Sequence, residues 1–165
     1  MDDPLLTDEA RGLIADLTVR QQSVATAESL TAGLLAATLA GVPGASEVLR
    51  GGLITYTAHT KITLAGVAPQ ILDDVGPVAA PTARALAVGA RQRCEATWGV
   101  GLTGVAGPQA HGGHDVGTVF VGLAGPGEHG AIEVVELQLT GSRWDIRLSA
   151  VRESISRLRA LVAAE

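Results

Sequence analysis

Short apolar runs alternate along the chain with longer segments in which apolar residues recur every three or four positions. The short runs, such as 99–104, are typical of buried strands, and the longer segments, such as 143–163, are typical of helices packed on one face. Two late runs, 117–125 and 131–141, follow each other around the turn PGEHG, which predicts an antiparallel pair. Helices covering both faces of a mixed sheet would bury these apolar surfaces. We therefore expect an α/β fold, a three-layer α/β/α sandwich with a mixed sheet, as a single domain over 1–165.

Local start and stop signals set the ends of the other predicted elements. A Thr/Asp start precedes the first helix, Gly41 and Pro43 follow the second, and Gly66 follows a short helix that ends at Leu64. Pro81 lies near the first turn of a later helix, where its missing amide needs no partner. The remaining predictions are helices at 7–20, in LLAATLAGVPG and at 81–97, and strands at 23–27, 51–57 and 99–104.

The amino-acid composition limits how the core is built. The 165 residues are 47% hydrophobic but only 2% aromatic, and 21 of them are glycine. The core must therefore consist of alanine, valine, leucine and isoleucine, which suits close packing of helices on a sheet. The single cysteine, Cys94, rules out an internal disulfide and fits a reducing cytoplasm, where we expect the protein to work.

Charge and hydropathy exclude two classes of partner. The net charge of −5 argues against nucleic acid, whose phosphates require a basic face. No window approaches 18 uninterrupted apolar residues, and the acidic start lacks the layout of a signal peptide, so we expect no membrane partner. A small anionic ligand would need a local cluster of positive groups in this acidic molecule.

The stretch LITYTAHTKITL contains the only tyrosine, Tyr56, and the only lysine, Lys61, whereas eleven arginines carry the remaining basic charge. A buried lysine can lose its proton because desolvation lowers its pKa, and it can then act as a general base. Arginine cannot do this. Tyr56 could hydrogen-bond in the same pocket. The alternatives are that the lone lysine reflects compositional drift and that the tyrosine is an ordinary strand residue facing the core.

The segment ESLTAG follows a predicted strand and leads into a helix. Ser29 could be a nucleophile held at the start of that helix, whose amides favour developing negative charge. Thr31 or Ser29 could instead be only the N-cap residue of the helix. The two interpretations are compatible if Thr31 caps the helix while Ser29 faces a pocket.

Two further segments contain candidate ligand-binding groups. The loop TGVAGP supplies Thr103 and the closely spaced Gly104 and Gly107, which let backbone amides approach a ligand, although any tight turn could look the same. Arg143 and Arg147 lie four residues apart at the start of the last helix, where an anion would offset their unfavourable interaction with the helix dipole. A pair of solvated surface arginines is the alternative.

The stretch HGGH offers two metal-binding side chains, His111 and His114, in a flexible loop without a suitable third ligand nearby. A solvated loop is the better interpretation of this stretch. We therefore expect neither a metal nor another cofactor.

Taken in order, several segments resemble the CinA C-terminal domain family, which includes stand-alone nicotinamide-nucleotide amidohydrolases of the PncC type. The resemblance covers residues 7 to 162 and is carried by TAESLTAGLLAATLAGVPGAS, GGLITYTAHTKITLAGV, GLTGVAGP with VGTVFVGLA, and TGSRWDIRLSAV. It implies an α/β/α fold. It also implies hydrolysis of the amide of nicotinamide mononucleotide, a pyridine nucleotide, to nicotinate mononucleotide and ammonia.

The resemblance also implies roles for single residues. Ser29 matches the family's proposed nucleophile, Tyr56 and Lys61 match its tyrosine and lysine, and Lys61 would activate Ser29. Thr103 and Arg143 match its loop threonine and helix-start arginine. The predicted site therefore has catalytic Ser29, Lys61 and Tyr56, and substrate-binding Thr31, Thr103, Gly104, Gly107, Arg143 and Arg147.

The sequence departs from the family pattern at Ala32, Ala58, His59, Ala79 and Asp115, which could reshape the pocket. With the pocket altered at Ala32, Ala58 and Ala79, one alternative is a nucleotide-binding module without catalysis. A second alternative is an oligomeric interaction domain whose aliphatic faces bind partners. We also expect a homo-oligomer, a dimer or larger.

Overall fold

The computed structural model describes residues 3–127 and 132–165, and these residues form a five-stranded sheet flanked by helices. Residues 128–131, which include the end of the predicted turn PGEHG and the start of the predicted strand 131–141, lie outside the described part. The strands are β1 Val24–Glu28, β2 Leu49–Ile54, β3 Trp98–Gly104, β4 Thr118–Ala124 and β5 Ile132–Gln138. The α-helices are α1 Asp8–Arg20, α2 Leu34–Ala40, α3 Ala58–Thr63, α4 Pro69–Val75, α5 Ala80–Arg93 and α6 Arg143–Ala164.

The sheet is mixed, with the strand order β2-β1-β3-β4-β5. Strand β1 lies between β2 and β3 and is parallel to both, so that Ala27 pairs with Leu53 of β2 and with Gly101 of β3. Strands β3, β4 and β5 run antiparallel in succession, which confirms the predicted late pair. Because β1, β2 and β3 are parallel, the loops that follow them meet at one edge of the sheet, where ligands of such folds bind.

Helices cover both faces of the sheet and complete the three predicted layers. On one face, Leu17 of α1 and Leu158 of α6 belong to the same buried cluster as Leu102 of β3. On the other face, Leu86 of α5 packs in a second cluster that includes Ala27 of β1. The predicted α/β/α sandwich is confirmed. None of the helices in the described ranges is long and apolar enough to cross a membrane.

Glycines in the strands let the backbone of α5 pack directly against the backbone of the sheet. A Cβ atom added at Gly101 of β3 or at Gly122 of β4 would collide with the backbone of Ala83. Side chains of any size are therefore excluded at these two strand positions, and the helix lies directly on the strands. This close packing helps a chain so poor in aromatic residues to bury apolar clusters on both faces of the sheet.

The predicted element boundaries differ from the structure at two strands and two helices. Strand β2 spans Leu49–Ile54, whereas 51–57 was predicted, and β5 ends at Gln138, whereas the prediction continued to residue 141. Helix α4 occupies a segment that the sequence pattern treats as a proline-marked loop, because seven residues are too few to show a clear helical period. Helix α5 ends at Arg93, whereas the prediction continued to residue 97. The chain reverses there through Glu95, whose φ of 51° lies in the left-handed region, in order to enter β3.

Candidate active site

A cavity of about 550 Å³ opens where the loops after β1, β2 and β3 converge. This volume is typical of small-molecule sites, which span roughly 300–1,000 Å³. Most of the predicted site residues line it, namely Ser29, Tyr56, Lys61, Thr103, Gly104, Gly107 and Arg143. Thr31 and Arg147 do not.

Lys61 and Ser29 are in direct contact at the base of this cavity. The Lys61 amine nitrogen, Nζ, lies 3.0 Å from Ser29 Oγ and donates a second hydrogen bond of 2.7 Å to the Thr55 carbonyl. The lysine side chain is 1% exposed, so the amine is removed from bulk water. Helix α3 places it there, because the Thr57 side chain accepts from the Thr60 amide and fixes the start of the helix one turn before Lys61.

Burial lowers the pKa of Lys61 from its ordinary value of 10.5 to about 8. At pH 7 about a tenth of the molecules then carry a neutral amine. A neutral amine has two N–H bonds and one lone pair. The Thr55 carbonyl can only accept, so it holds one N–H and leaves the lone pair available for the proton of Ser29.

The buried amine also opposes folding. Below about pH 8 the lysine is protonated in both the folded and the unfolded chain, and its desolvation penalty is fully present. The penalty disappears as the pH rises from about 8 towards 10.5, where the folded chain loses the proton first. A shift of this size corresponds to about 3 kcal/mol. A group that destabilises the fold near neutral pH is typical of a functional site.

The turn that carries Ser29 is anchored by Glu28, a residue that the sequence analysis did not single out. The buried Glu28 carboxylate accepts hydrogen bonds from the amides of Leu35 and Ala36 in the first turn of α2 (2.8 and 3.0 Å) and one from Thr26 Oγ1. The predicted N-cap role of Thr31 is therefore wrong. The signal was present in the sequence as an acidic residue at the end of a fully buried strand.

Arg143 connects two of the three loops at the mouth of the cavity. It donates 2.6 Å to the Gly107 carbonyl and 3.1 Å to the hydroxyl of Tyr56, whose side chain is 54% exposed. Tyr56 thus bonds to Arg143. In the described part of the chain Tyr56 forms no hydrogen bond with Lys61, whose amine bonds to Ser29 and Thr55 instead.

Arg147 contacts the turn that follows Ser29, and Thr31 lies within that turn. Arg147 Nε donates to the Leu30 carbonyl (2.9 Å) and its Nη2 donates to the Thr31 carbonyl (3.2 Å). The hydroxyl of Thr31 is fully buried and finds no partner among the described residues. Neither side chain reaches the cavity, so the substrate contacts predicted for them have no support in this geometry.

Comparison with known proteins places this arrangement in a family. The family model described as the CinA C-terminal domain matches residues 7–162, nearly the whole chain. The chain belongs to the CinA C-terminal domain family.

Relatives and solved structures agree with this assignment. A CinA-like protein of Anaeromyxobacter is 46% identical over 89% of the chain, and one of Acidobacterium capsulatum is 38% identical over 96%. The chain covers only 35% and 39% of those two relatives. The structure also resembles the crystal structure of competence/damage inducible protein CihA from Agrobacterium tumefaciens, with a TM-score of 0.89 at 33% identity, covering 98% of this chain and 99% of the other.

Within this CinA domain, the departures from the family pattern fall at different kinds of position. Ala58 lines the cavity, and Ala32 adopts a φ of 47°, in the left-handed region that alanine seldom occupies. Ala79 is the N-cap of α5 and offers no side-chain cap, so this departure lies at a helix end.

The stretch HGGH forms a small hairpin beside the cavity of the CinA domain. The backbones of His111 and His114 exchange two hydrogen bonds around Gly112 and Gly113, which both have positive φ. The His114 ring packs edge-on against Phe120, and His111 lines the cavity. No three metal-binding side chains converge within residues 3–127 and 132–165.

Thr103 supports the cavity wall from the end of β3. Its hydroxyl donates 2.6 Å to the Pro77 carbonyl, which ties the strand to the segment before α5. The hydroxyl proton is therefore committed to the protein backbone, and only the oxygen lone pairs are available to a ligand.

Proposed function

We propose that this CinA domain hydrolyses the carboxamide of nicotinamide mononucleotide to nicotinate mononucleotide and ammonia. The observation that carries the proposal is the contact between a buried lysine amine of lowered pKa and a serine hydroxyl inside a cavity of small-molecule size. A serine hydroxyl becomes a competent nucleophile when an adjacent base takes its proton. The resemblance of the motifs to nicotinamide-nucleotide amidohydrolases supplies the substrate.

In the first step, neutral Lys61 takes the proton of Ser29 while Oγ forms a bond to the carboxamide carbon. Negative charge develops on the carboxamide oxygen and needs hydrogen-bond donors. The Ser29 amide cannot serve, because it donates 3.0 Å to the Leu102 carbonyl. The amides of Leu30 and Ala106 remain candidates, since both residues line the cavity and neither amide donates to another group in the described ranges.

In the second step, the carbon–nitrogen bond breaks and the Lys61 ammonium gives its proton to the departing nitrogen, which leaves as ammonia. A water molecule then attacks the acyl-serine. Lys61 accepts a proton from this water and returns one to Ser29 Oγ, so that nicotinate mononucleotide is released and the starting state is restored. The same amine thus acts as base and acid in turn, and the cycle balances without a further group.

Arg143 is the proposed ligand of the 5′-phosphate. It lines the cavity, and none of the carboxylates in the described part of the chain forms an ion pair with it. Its charge is therefore available to an anion, even though the protein as a whole is acidic. Only two of its five N–H groups need be used for Gly107 and Tyr56, which leaves donors for a phosphate.

Ammonia release from nicotinamide mononucleotide, compared with the riboside that lacks the phosphate, tests this proposal. We expect turnover of the mononucleotide. Arg143→Met should raise the KM for the mononucleotide about 10- to 100-fold, because it removes a hydrogen bond between charged groups. KM for the riboside should change little. Arg152→Met, which removes an exposed arginine from the same helix, is the matched control.

Three results would count against the proposal. Absence of ammonia from both substrates would reject amide hydrolysis. Binding of the mononucleotide without ammonia release would instead favour the non-catalytic binding module. An equal loss on both substrates in Arg143→Met would remove the phosphate role of that residue.

A further inference from the structure

The turn between β1 and α2, residues 29–33, contains an unfavourable backbone conformation. Ala32 has a φ of 47° and Gly33 a φ of 95°, so two consecutive residues are left-handed. Glycine adopts this region freely, whereas an alanine there brings its Cβ close to the backbone. A turn of this kind, directly after a nucleophile, needs support from outside itself.

Arg147 provides that support from α6. The Leu30 carbonyl is held by Arg147 Nε, which is its only partner in the described part of the chain. The Thr31 carbonyl accepts from the Leu34 amide and from Arg147 Nη2. Two adjacent carbonyls of the turn therefore face one guanidinium, whose planar fork can hold both at once.

The guanidinium is itself held in place. It lies with its central carbon 5.7 Å from the centre of the Trp144 ring, within the range of a cation–π contact. Arg147 is not among the residues that line the cavity. Arg147 is thus a clamp on the protein backbone, whereas Arg143, one helical turn earlier, reaches the cavity mouth.

We propose that Arg147 is a positioning residue, which holds the 29–33 turn against the strain at Ala32 and so keeps Ser29 Oγ aligned with Lys61. This inference rests on the proposed function for its main assay. It assigns no contact between Arg147 and the substrate. Peptide units are planar, so fixing the Leu30 carbonyl also fixes the Leu30–Thr31 peptide plane beside the nucleophile.

The closing experiment measures ammonia release from the mononucleotide and the riboside for Arg147→Met, Arg147→Lys, Ala32→Gly and the double variant Ala32→Gly/Arg147→Met. We expect Arg147→Met to lower kcat about 10- to 100-fold on both substrates, with KM nearly unchanged, because displacing a reacting atom by about 1 Å has such an effect. Lysine, with a single point charge, should restore only part of the loss. Glycine at position 32 should recover about fivefold in the double variant, because it removes the left-handed strain.

A second readout keeps the inference independent of the substrate assignment. Phenylmethylsulfonyl fluoride reacts with activated serines and has no phosphate, and mass spectrometry reports modification of Ser29. We expect the wild type to be labelled, Arg147→Met to be labelled at least about tenfold more slowly, and Arg152→Met to match the wild type. If ammonia release fails in the wild type but this pattern holds, the proposed substrate is wrong and the role of Arg147 stands.

Other outcomes would overturn the inference. A KM increase confined to the mononucleotide would make Arg147 a phosphate ligand. Failure of Ala32→Gly to recover activity or labelling in the Arg147→Met background would remove the strain argument. Equal labelling of the wild type and Arg147→Met, or no labelling of the wild type at all, would leave no aligned nucleophile for Arg147 to position.

Discussion

Replacing Lys61 by arginine should lower turnover of nicotinamide mononucleotide by about 10³- to 10⁴-fold, although the positive charge is kept. The reason is that arginine stays protonated at every accessible pH and cannot take the proton of Ser29. The measurement is steady-state ammonia release from about pH 6 to about pH 10, a range that brackets the lowered pKa of Lys61. In the wild type, kcat/KM should rise with pH around a midpoint of about 8, because the neutral fraction of Lys61 rises there.

Lys61→Met provides the companion variant, because it keeps an unbranched side chain and carries no charge. Both variants should show a loss of this size at all pH values, which separates loss of the base from loss of a cation. Circular dichroism and thermal unfolding confirm that each is folded. Wild-type turnover in Lys61→Arg would show that the amine is not the base.

Ser29→Ala should lower turnover more than Lys61→Arg does, by about 10⁴- to 10⁶-fold, because it removes the covalent nucleophile. Binding of the mononucleotide should persist within about threefold, because the phosphate contact and the cavity remain intact and a single neutral hydrogen bond contributes little. The measurements are single-turnover ammonia release and calorimetric binding. Ser156→Ala, at an exposed position of α6, is the control.

The same variant distinguishes two mechanisms. Residual turnover close to that of the wild type would mean that water attacks the carboxamide directly, with Lys61 as its base. Loss of both turnover and binding would mean that Ser29 helps to hold the substrate and would leave its chemical role unproven.

The layers of the fold could be predicted because each depends on a repeated pattern. Short apolar runs identified the strands and the 3.6-residue period identified the long helices, and the run 117–125 followed by 131–141 identified the antiparallel pair. Helix α4 was not predicted because a seven-residue segment contains fewer than two full turns. Its only strong local signal, Pro69, is equally typical of a loop.

The candidate site could be predicted only in part. The rarity of lysine pointed to Lys61, and its contact with Ser29 follows from the parallel order of β1 and β2. Arg147 was placed in the ligand site because it shares a helix face with Arg143. Four residues correspond to about 6 Å along a helix. That rise is enough to carry Arg147 past the cavity to the 29–33 turn.

Glu28 was overlooked for a related reason. A sequence shows that an acidic residue ends a buried strand, but it does not show which amides the carboxylate will meet. Those amides belong to Leu35 and Ala36, seven and eight residues later, and only the folded turn brings them to the carboxylate. Contacts of this kind depend on loop conformation, which residue periodicity does not encode.

The central claim is that burial makes the Lys61 amine a base near neutral pH, and the sequence offers a direct way to test it. Lys61 is the only lysine, so protein labelled with ¹³C at the lysine ε-carbon gives a single lysine signal. Its chemical shift can be followed by NMR as the pH is raised. The account predicts a midpoint of about 8, and a midpoint near the ordinary lysine value of 10.5 would contradict it.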